Sequence, residues 1–264
     1  MLKKERLLKI MEKIELNGII TVSEMMESLH ISDMTARRDL DELEKAGKLV
    51  RIHGGAQTIT APTKLEKSNS EKLTVQITEK KEIAALASQY IKDGETIFLG
   101  PGTTLECLAE ELITRQLRII TNSLPVFNIL STSDTLDVIL IGGEYRAITG
   151  AFVGSLASQM MAKLRFSKAF IGCNGIFNND IATYSELEGS IQQLAFEQAI
   201  ERFLLADSQK FNTYDFSVFY HVNAIDTIIT DQNLAPATRD NYSILTNLVL
   251  APHQSKKEEN TQAL

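Results

Sequence analysis

ISDMTARRDLDELEKAGKLVRIHGG, residues 31–55, is the stretch on which the reading of this 264-residue chain turns. Ser32 is placed to cap a helix, Asp33 puts negative charge in its first turn, and Gly47 stands where a glycine would end it. Ala36, Leu40 and Leu43 follow the i, i+4, i+7 spacing of one buried face. At about 100° per residue, Met34, Arg38, Asp41 and Lys45 then point the opposite way, with Thr35 and Arg37 on the flanks. A short strand over 48–52 and a turn at His53-Gly54-Gly55 complete the pattern of a winged helix-turn-helix. Paired arginines on an exposed helix face are more often a solvated surface than a nucleic-acid contact. The element before them changes that weighting. Two helices joined by a turn of a few residues, the second carrying paired arginines near its start, suit the major groove. The expected DNA contacts are Ser32, Met34, Thr35, Arg37 and Arg38 on the helix, with Arg51 and His53 in the wing. Sequence does not assign either arginine to a base or to a phosphate.

Upstream, 3–17 reads as a first helix with Leu7, Ile10, Met11 and Ile14 on one stripe, closed by Asn17-Gly18. Ile19 and Ile20 begin a short connector. Thr21-Val22-Ser23-Glu24 is a capping-box pattern opening a second helix, whose Val22, Met25, Met26 and Leu29 can meet the core. His30-Ile31-Ser32 is the turn. Residues 1–59 thus form a small DNA-binding domain.

Composition limits the alternatives. The chain carries a formal charge of -7 at a pI of about 5.3. Residues 1–59 hold ten basic and ten acidic residues, leaving 17 of the 27 basic and 24 of the 34 acidic residues for the remainder. The case for DNA therefore rests on local placement of Arg and Lys, with modest non-specific affinity and reliance on dimeric binding. Cys107 and Cys173 make no metal-spaced pair and no disulfide framework. The charged start MLKKERLLKIMEK lacks an apolar targeting region, and no run approaches membrane-spanning length. A cytoplasmic protein, with no membrane partner, no cofactor and no metal, is expected.

Residues 60–74 lack a sustained apolar period and read as a linker, partly helical. From about Val75, amphipathic helices alternate with short apolar strands: 96–99, 117–121, 138–141, 169–173, 203–206 and 225–230. Such alternation implies a largely parallel α/β sheet over 75–251, followed by a tail, 252–264, expected to be disordered.

Ligands of open parallel sheets bind beyond the carboxyl ends of the strands. The clearest such end is Gly100-Pro101-Gly102-Thr103-Thr104, where a strand, a glycine turn and a helix N-terminus gather N–H groups and hydroxyls around a spot of positive potential suited to phosphate. It is neither a Walker A loop nor a dinucleotide fingerprint. The plainer reading is that it turns the chain and caps the helix. Asn122-Ser123, Gly143-Glu144 with Arg146, Asn174, and Asp207 with Lys210 are weaker singly, each readable as a turn or a solvated charge; Asp207 could bind hydroxyls or cap the next turn. Their recurrence at successive strand ends favours a polar crevice for a small phosphorylated polyol. An isomerase would need a general base beside such a site. Glu144, Glu186, Glu188 and Asp207 are available, but no tight acidic cluster accompanies the phosphate loop, and His221 has no evident triad partners. A DNA-reading domain makes catalysis unnecessary, so a non-enzyme is expected.

Asp33-Met34-Thr35, Arg37-Arg38-Asp39-Leu40, Glu42-Leu43, Gly47 and Arg51-Ile52-His53-Gly54-Gly55-Ala56 resemble the N-terminal signature of DeoR-family transcriptional regulators. The resemblance continues through Gly102-Thr103-Thr104, Thr121-Asn122-Ser123, Gly142-Gly143, Gly154, Asp207-Ser208 with Lys210, and Ile229-Thr230-Asp231. Leu99 to Thr104, Leu124 to Phe127, Arg165 to Lys168 and Phe216 to Tyr220 are similar to the lactose branch of that family. The resemblance implies a repressor of a sugar-utilisation operon that binds operator DNA as a homodimer or homotetramer. It implies release by a phosphorylated sugar, tagatose 6-phosphate for the lactose branch. It also implies a ribose-5-phosphate isomerase-like second domain used for sensing. The chain departs from the family at Gly100-Pro101, at Asn179 to Thr183, and at Gln192-Gln193, where a lysine is usual.

Overall fold

A computed structural model describes residues 1–17, 19–52, 54–58 and 66–253, and the chain divides into two units at Thr63/Lys64. Gly18, His53, residues 59–65 and the tail from 254 lie outside the described residues.

The first unit runs α1 (Lys3–Asn17), β1 (Ile19–Thr21), α2 (Val22–Leu29), α3 (Asp33–Lys45), β2 (Leu49–Ile52) and β3 (Gly55–Thr58). The apolar stripes read from the sequence converge: Ile10, Ile14, Met25, Ala36 and Leu40 are fully buried in one cluster. The Thr21–Glu24 capping box opens α2, and His30, in the left-handed region at φ 52°, ends it. Ile19 and Ile20, read as a connector, instead form a strand. β1 pairs antiparallel with β3, which pairs with β2, so the wing is a three-stranded sheet.

The second unit adds α4 (Asn69–Leu73), α5 (Ile77–Ser88), β4 (Thr96–Leu99), α6 (Thr103–Leu112), β5 (Arg118–Thr121), α7 (Leu124–Leu130), β6 (Asp137–Leu140), β7 (Glu144–Arg146) and β8 (Ala151–Val153). It continues through α8 (Gly154–Met161), β9 (Phe166–Gly172), β10 (Gly175–Phe177), β11 (Asp180–Thr183), α9 (Glu186–Gln198) and β12 (Ala199–Leu205). β13 (Ser217–His221), β14 (Thr227–Thr230), α10 (Pro236–Ser243) and β15 (Asn247–Leu250) complete it. Seven strands form one sheet in the order β15-β14-β12-β9-β4-β5-β6, parallel at every pairing. Side chains alternate between its faces. Phe98, Ile171 and Leu204 join Phe166 and Phe196 in one core, whereas Leu99, Phe170 and Phe203 join Ile83, Leu105 and Leu108 in the other. Burial on both faces is what an all-parallel sheet requires.

Further features were not read from the sequence, among them the antiparallel β7–β8 pair. The strand β15 extends the sheet edge. β10, β11 and β13 form a separate antiparallel sheet, where the otherwise lone His221 sits 3.1 Å from Asp180. Residues 66–73, read within the linker, pack onto the second unit. Ser68 and Glu71 form a capping box, Asn69 N–H donates to the Ile148 carbonyl at 2.8 Å, and Asn69 Nδ2 donates to Glu106 at 2.7 Å. The chain order reverses between β4 and β9: β5 and β6 continue to one side, β12 and β14 to the other. Such a switch point opens a crevice at the strand C-termini.

Candidate functional site

In the first unit, Ser32 caps α3, its hydroxyl accepting from the Thr35 N–H at 3.3 Å and lying 2.9 Å from the Thr35 hydroxyl. Met34 is 74% exposed, and Arg38 is exposed with no ion pair among the described residues. Arg37 is exposed but paired with Asp33 one turn earlier, at 2.7 Å. Such a surface pair is weak and easily exchanged for a phosphate. Ser32, Met34, Thr35, Arg37 and Arg38 therefore share the start of one helix. Arg51 lies differently: its Nη1 donates to Asp41 at 2.8 Å and to the Arg37 carbonyl at 3.0 Å, bracing the wing against α3. His53 is outside the described residues. The sequence reading missed the Arg6–Asp39 pair. Asp39, 1% exposed, is clasped by both Nε and Nη2 of Arg6, the latter at 2.9 Å. The signal was available, since Asp39 falls on the buried side with Ala36, Leu40 and Leu43.

In the second unit a cavity of about 170 Å³ opens beyond the C-termini of β4, β9 and β12, the three strands at the switch point. Its floor is the start of α6. Gly102 holds φ at 125°, which L side chains rarely adopt, so Thr103 and Thr104 begin the helix with no side-chain cap. Their N–H ends and the positive end of the helix dipole face the cavity without a protein acceptor supplied by a cap.

Four lysines line the same space: Lys67 and Lys72 from the segment around α4, Lys80 from α5 and Lys210 beyond β12. Lys80 is 4% exposed and lies on the stripe of Ile83, Ala84 and Ala87; its ammonium donates to the Lys72 carbonyl at 2.6 Å. Burial pulls the Lys80 ammonium below the usual lysine range, opposed by the Asp207 charge. Burial likewise lowers Lys72, with the neighbouring Lys210 charge adding to the effect. Lys72 Nζ donates to Asn174 Oδ1 at 3.2 Å, and Asn174 in turn donates to Asp215 at 2.8 Å. Asp207, buried, both caps the turn at Gln209 (3.1 Å) and stands 4.0 Å from Lys210 Nζ. Crowded, half-desolvated cations beside an uncapped helix start suit an anion.

The acidic side of the lining is Glu188 on α9, 4% exposed. Burial raises its carboxyl above the usual range, against the Thr149 hydroxyl bond and the Arg146 charge. Arg146 binds two carboxylates, Glu66 and Glu188, the latter at 3.3 Å. Gln192, one turn on from Glu188, also lines the cavity. Cys173 lies in the wall, its thiol pushed up to about 12 by burial.

Of the effector residues read from sequence, Gly102, Thr103, Thr104, Asn174, Asp207 and Lys210 meet in this cavity. Gly100, Asn122, Ser123, Gly143, Glu144 and Arg146 fall outside its lining, each with a packing duty. Gly100 N–H continues the ladder to Phe170 at 2.9 Å; Asn122 donates to the Phe152 carbonyl at 2.9 Å; Ser123 caps α7. A Cβ on Gly143 would reach within 2.5 Å of the Val153 carbonyl, and Glu144 packs on Gly154. Arg146 acts one layer back, through Glu188. The sequence reading missed Lys67, Lys72 and Lys80 because it placed the first two in a linker and did not single out the third. The Ser68-x-x-Glu71 capping box, and a lysine on an apolar stripe, were the signals.

Residues 6–61 match the family described as DeoR-like helix-turn-helix domain, and residues 75–232 match the DeoR C terminal sensor domain. The lactose phosphotransferase system repressor of Lactococcus lactis subsp. lactis is 53% identical over 94% of this chain and 99% of its own. The protein of the same name from Streptococcus mutans serotype c is 47% identical over 88% of this chain and 93% of its own. Among solved structures, ribose 5-phosphate isomerase A of Methanocaldococcus jannaschii aligns over 52% of this chain and 55% of its own, at 16% identity and a TM-score of 0.38.

Proposed function

The chain belongs to the DeoR family, and from that premise we propose that it represses a sugar-utilisation operon and releases the operator when a phosphorylated sugar fills the cavity. The observation that carries the reading is the coexistence of two sites in one chain: an exposed Met34–Arg38 helix start for a duplex, and an uncapped α6 crowded by Lys72, Lys80 and Lys210 for an anion. The relatives' role as lactose phosphotransferase system repressors makes lactose and galactose utilisation the operon of choice, with tagatose 6-phosphate the first effector to try. The phosphate sits on the Gly102–Thr104 start of α6 and against the lysines; Asn174 and Asp207 meet the remainder of the ligand.

The route to the DNA runs through the covalent chain. Lys67, Asn69 and Lys72 lie on the segment that follows the linker, so a ligand that draws on these side chains acts on the chain leading back to the DNA-binding unit. Release requires the ligand to bind the DNA-free arrangement more tightly than the DNA-bound one. Two copies of the chain, as a homodimer or homotetramer, would read the two halves of an operator.

The buried Glu188, with its raised carboxyl, also suits an isomerase base. We read it as a ligand acceptor held by Arg146 and Thr149, and the protein as a regulator without turnover. The test is a fluorescence-anisotropy titration of the upstream operator, repeated with a panel of hexose 6-phosphates, alongside an isomerase assay on the same preparation. Release of DNA by one sugar phosphate without its conversion supports the reading. Stoichiometric DNA binding that no sugar phosphate relieves, or turnover of the panel, overturns it.

A further inference from the structure

Gln192 is 5% exposed and lines the cavity, yet its Oε1, closed off from solvent, has no hydrogen-bond partner among the described residues. A buried carbonyl oxygen left without a donor costs more than an average hydrogen bond contributes, and native folds keep few such groups. The anion-binding groups do not account for it. A phosphate offers mainly acceptor oxygens near neutral pH, which would face the amide oxygen unfavourably; what Oε1 lacks is a donor. Glu188, four residues earlier and thus on the same face of α9, presents a second buried acceptor to the same cavity, already held by Thr149 and Arg146. Two acceptors side by side, in a cavity that also holds four lysines and an uncapped helix start, describe the hydroxyl-reading end of a site for a ligand that is part anion and part polyol.

We propose that Gln192 determines ligand specificity: its Oε1 accepts a hydrogen bond from a hydroxyl of the bound molecule, with Glu188 beside it, so the cavity selects polyhydroxylated phosphate esters over inorganic phosphate. The inference rests on the reading of the cavity as a sugar-phosphate site. A buried polar group aimed at a hydroxyl discriminates strongly against ligands that lack one, because those leave it unpaired. The same logic makes the ligand-free state tolerant of losing it: Gln192→Met, of similar length and without the acceptor, removes the orphan oxygen along with the recognition.

The experiment is calorimetric titration of the full chain and of Gln192→Met and Gln192→Glu with tagatose 6-phosphate, fructose 6-phosphate and inorganic phosphate, with the melting temperature of each ligand-free protein. The expected result for Gln192→Met is at least a tenfold loss of affinity for the hexose phosphate that the parent binds. Its affinity for inorganic phosphate stays within twofold, its ligand-free melting temperature is no lower than the parent's, and Gln192→Glu keeps the preference for the ester. Unchanged hexose phosphate binding by Gln192→Met overturns the inference alone. An equal loss for ester and inorganic phosphate also overturns it, since Gln192 then only shapes the cavity. A parent that binds neither hexose phosphate more tightly than inorganic phosphate overturns the sugar-phosphate reading itself, and this inference with it.

Discussion

Arg38 and Asp39 are neighbours in sequence with opposite fates, and the 100° step between them on α3 decides which. Arg38 faces solvent with no ion pair among the described residues, whereas Asp39 is buried under the forked grip of Arg6. Replacing Arg38 with Ala should leave folding unchanged and weaken operator binding by about 1–3 kcal/mol if it reads a base edge. An operator titration for Arg38→Ala that overlays the parent's removes Arg38 from the interface. Replacing Asp39 with Ala strips the partner from a half-buried guanidinium and should cost the first unit about 2–3 kcal/mol. Urea unfolding followed on the full chain would show an earlier first transition, with the second unit's transition in place. Asp39 was legible as buried from its spacing. Its partner was not, because Arg6 lies 33 residues away on another helix.

At the scale of elements, amphipathic period and capping chemistry carried the reading of α1 to α3. Their local signals, a Thr21 capping box and a Ser32 cap, agree with the burial of Ile10, Met25 and Leu40. The parallel sheet was legible for the same reason: strands buried on both faces are continuous apolar runs. The segment 66–73 was not, since too few of its residues are apolar to give a period. It is fixed by polar contacts to distant groups: Glu66 to Arg146, Asn69 to Glu106 and Lys72 to Asn174. Replacing Glu66 with Gln keeps the size of the side chain and removes the charge that Arg146 holds. Amide exchange should rise through 66–73, and phosphate-ester affinity should fall about tenfold, equivalent to about 1.4 kcal/mol, because Lys67 and Lys72 ride on that segment. Unchanged exchange together with unchanged affinity would mean that the segment is anchored elsewhere.

At the scale of the whole molecule, an acidic chain gathers four lysines around one cavity. In the ligand-free cavity, Lys72 and Lys80 are held below the usual lysine range, mainly by burial. A bound phosphate restores the charged form, so the complex holds more protons than its parts, and affinity falls as pH rises through the lowered lysine values. Calorimetry in two buffers of different ionisation heat, on the alkaline side of neutrality, should register proton uptake on binding. A heat independent of buffer would place the phosphate away from these lysines. The sequence by itself determined the winged helix-turn-helix, the parallel sheet and the Gly102–Thr104 turn that opens α6. Each is a matter of local period, cap and turn chemistry, written in consecutive residues. Tertiary structure alone decided which strand ends meet. The reversal of chain order between β4 and β9 gathers Thr104, Asn174 and Lys210 and leaves Asn122 and Gly143 to packing. It likewise brought Lys72, Lys80, Glu188 and Gln192 into one cavity, because charge in a desolvated space is a property of what surrounds a side chain, and those neighbours are far away in the chain.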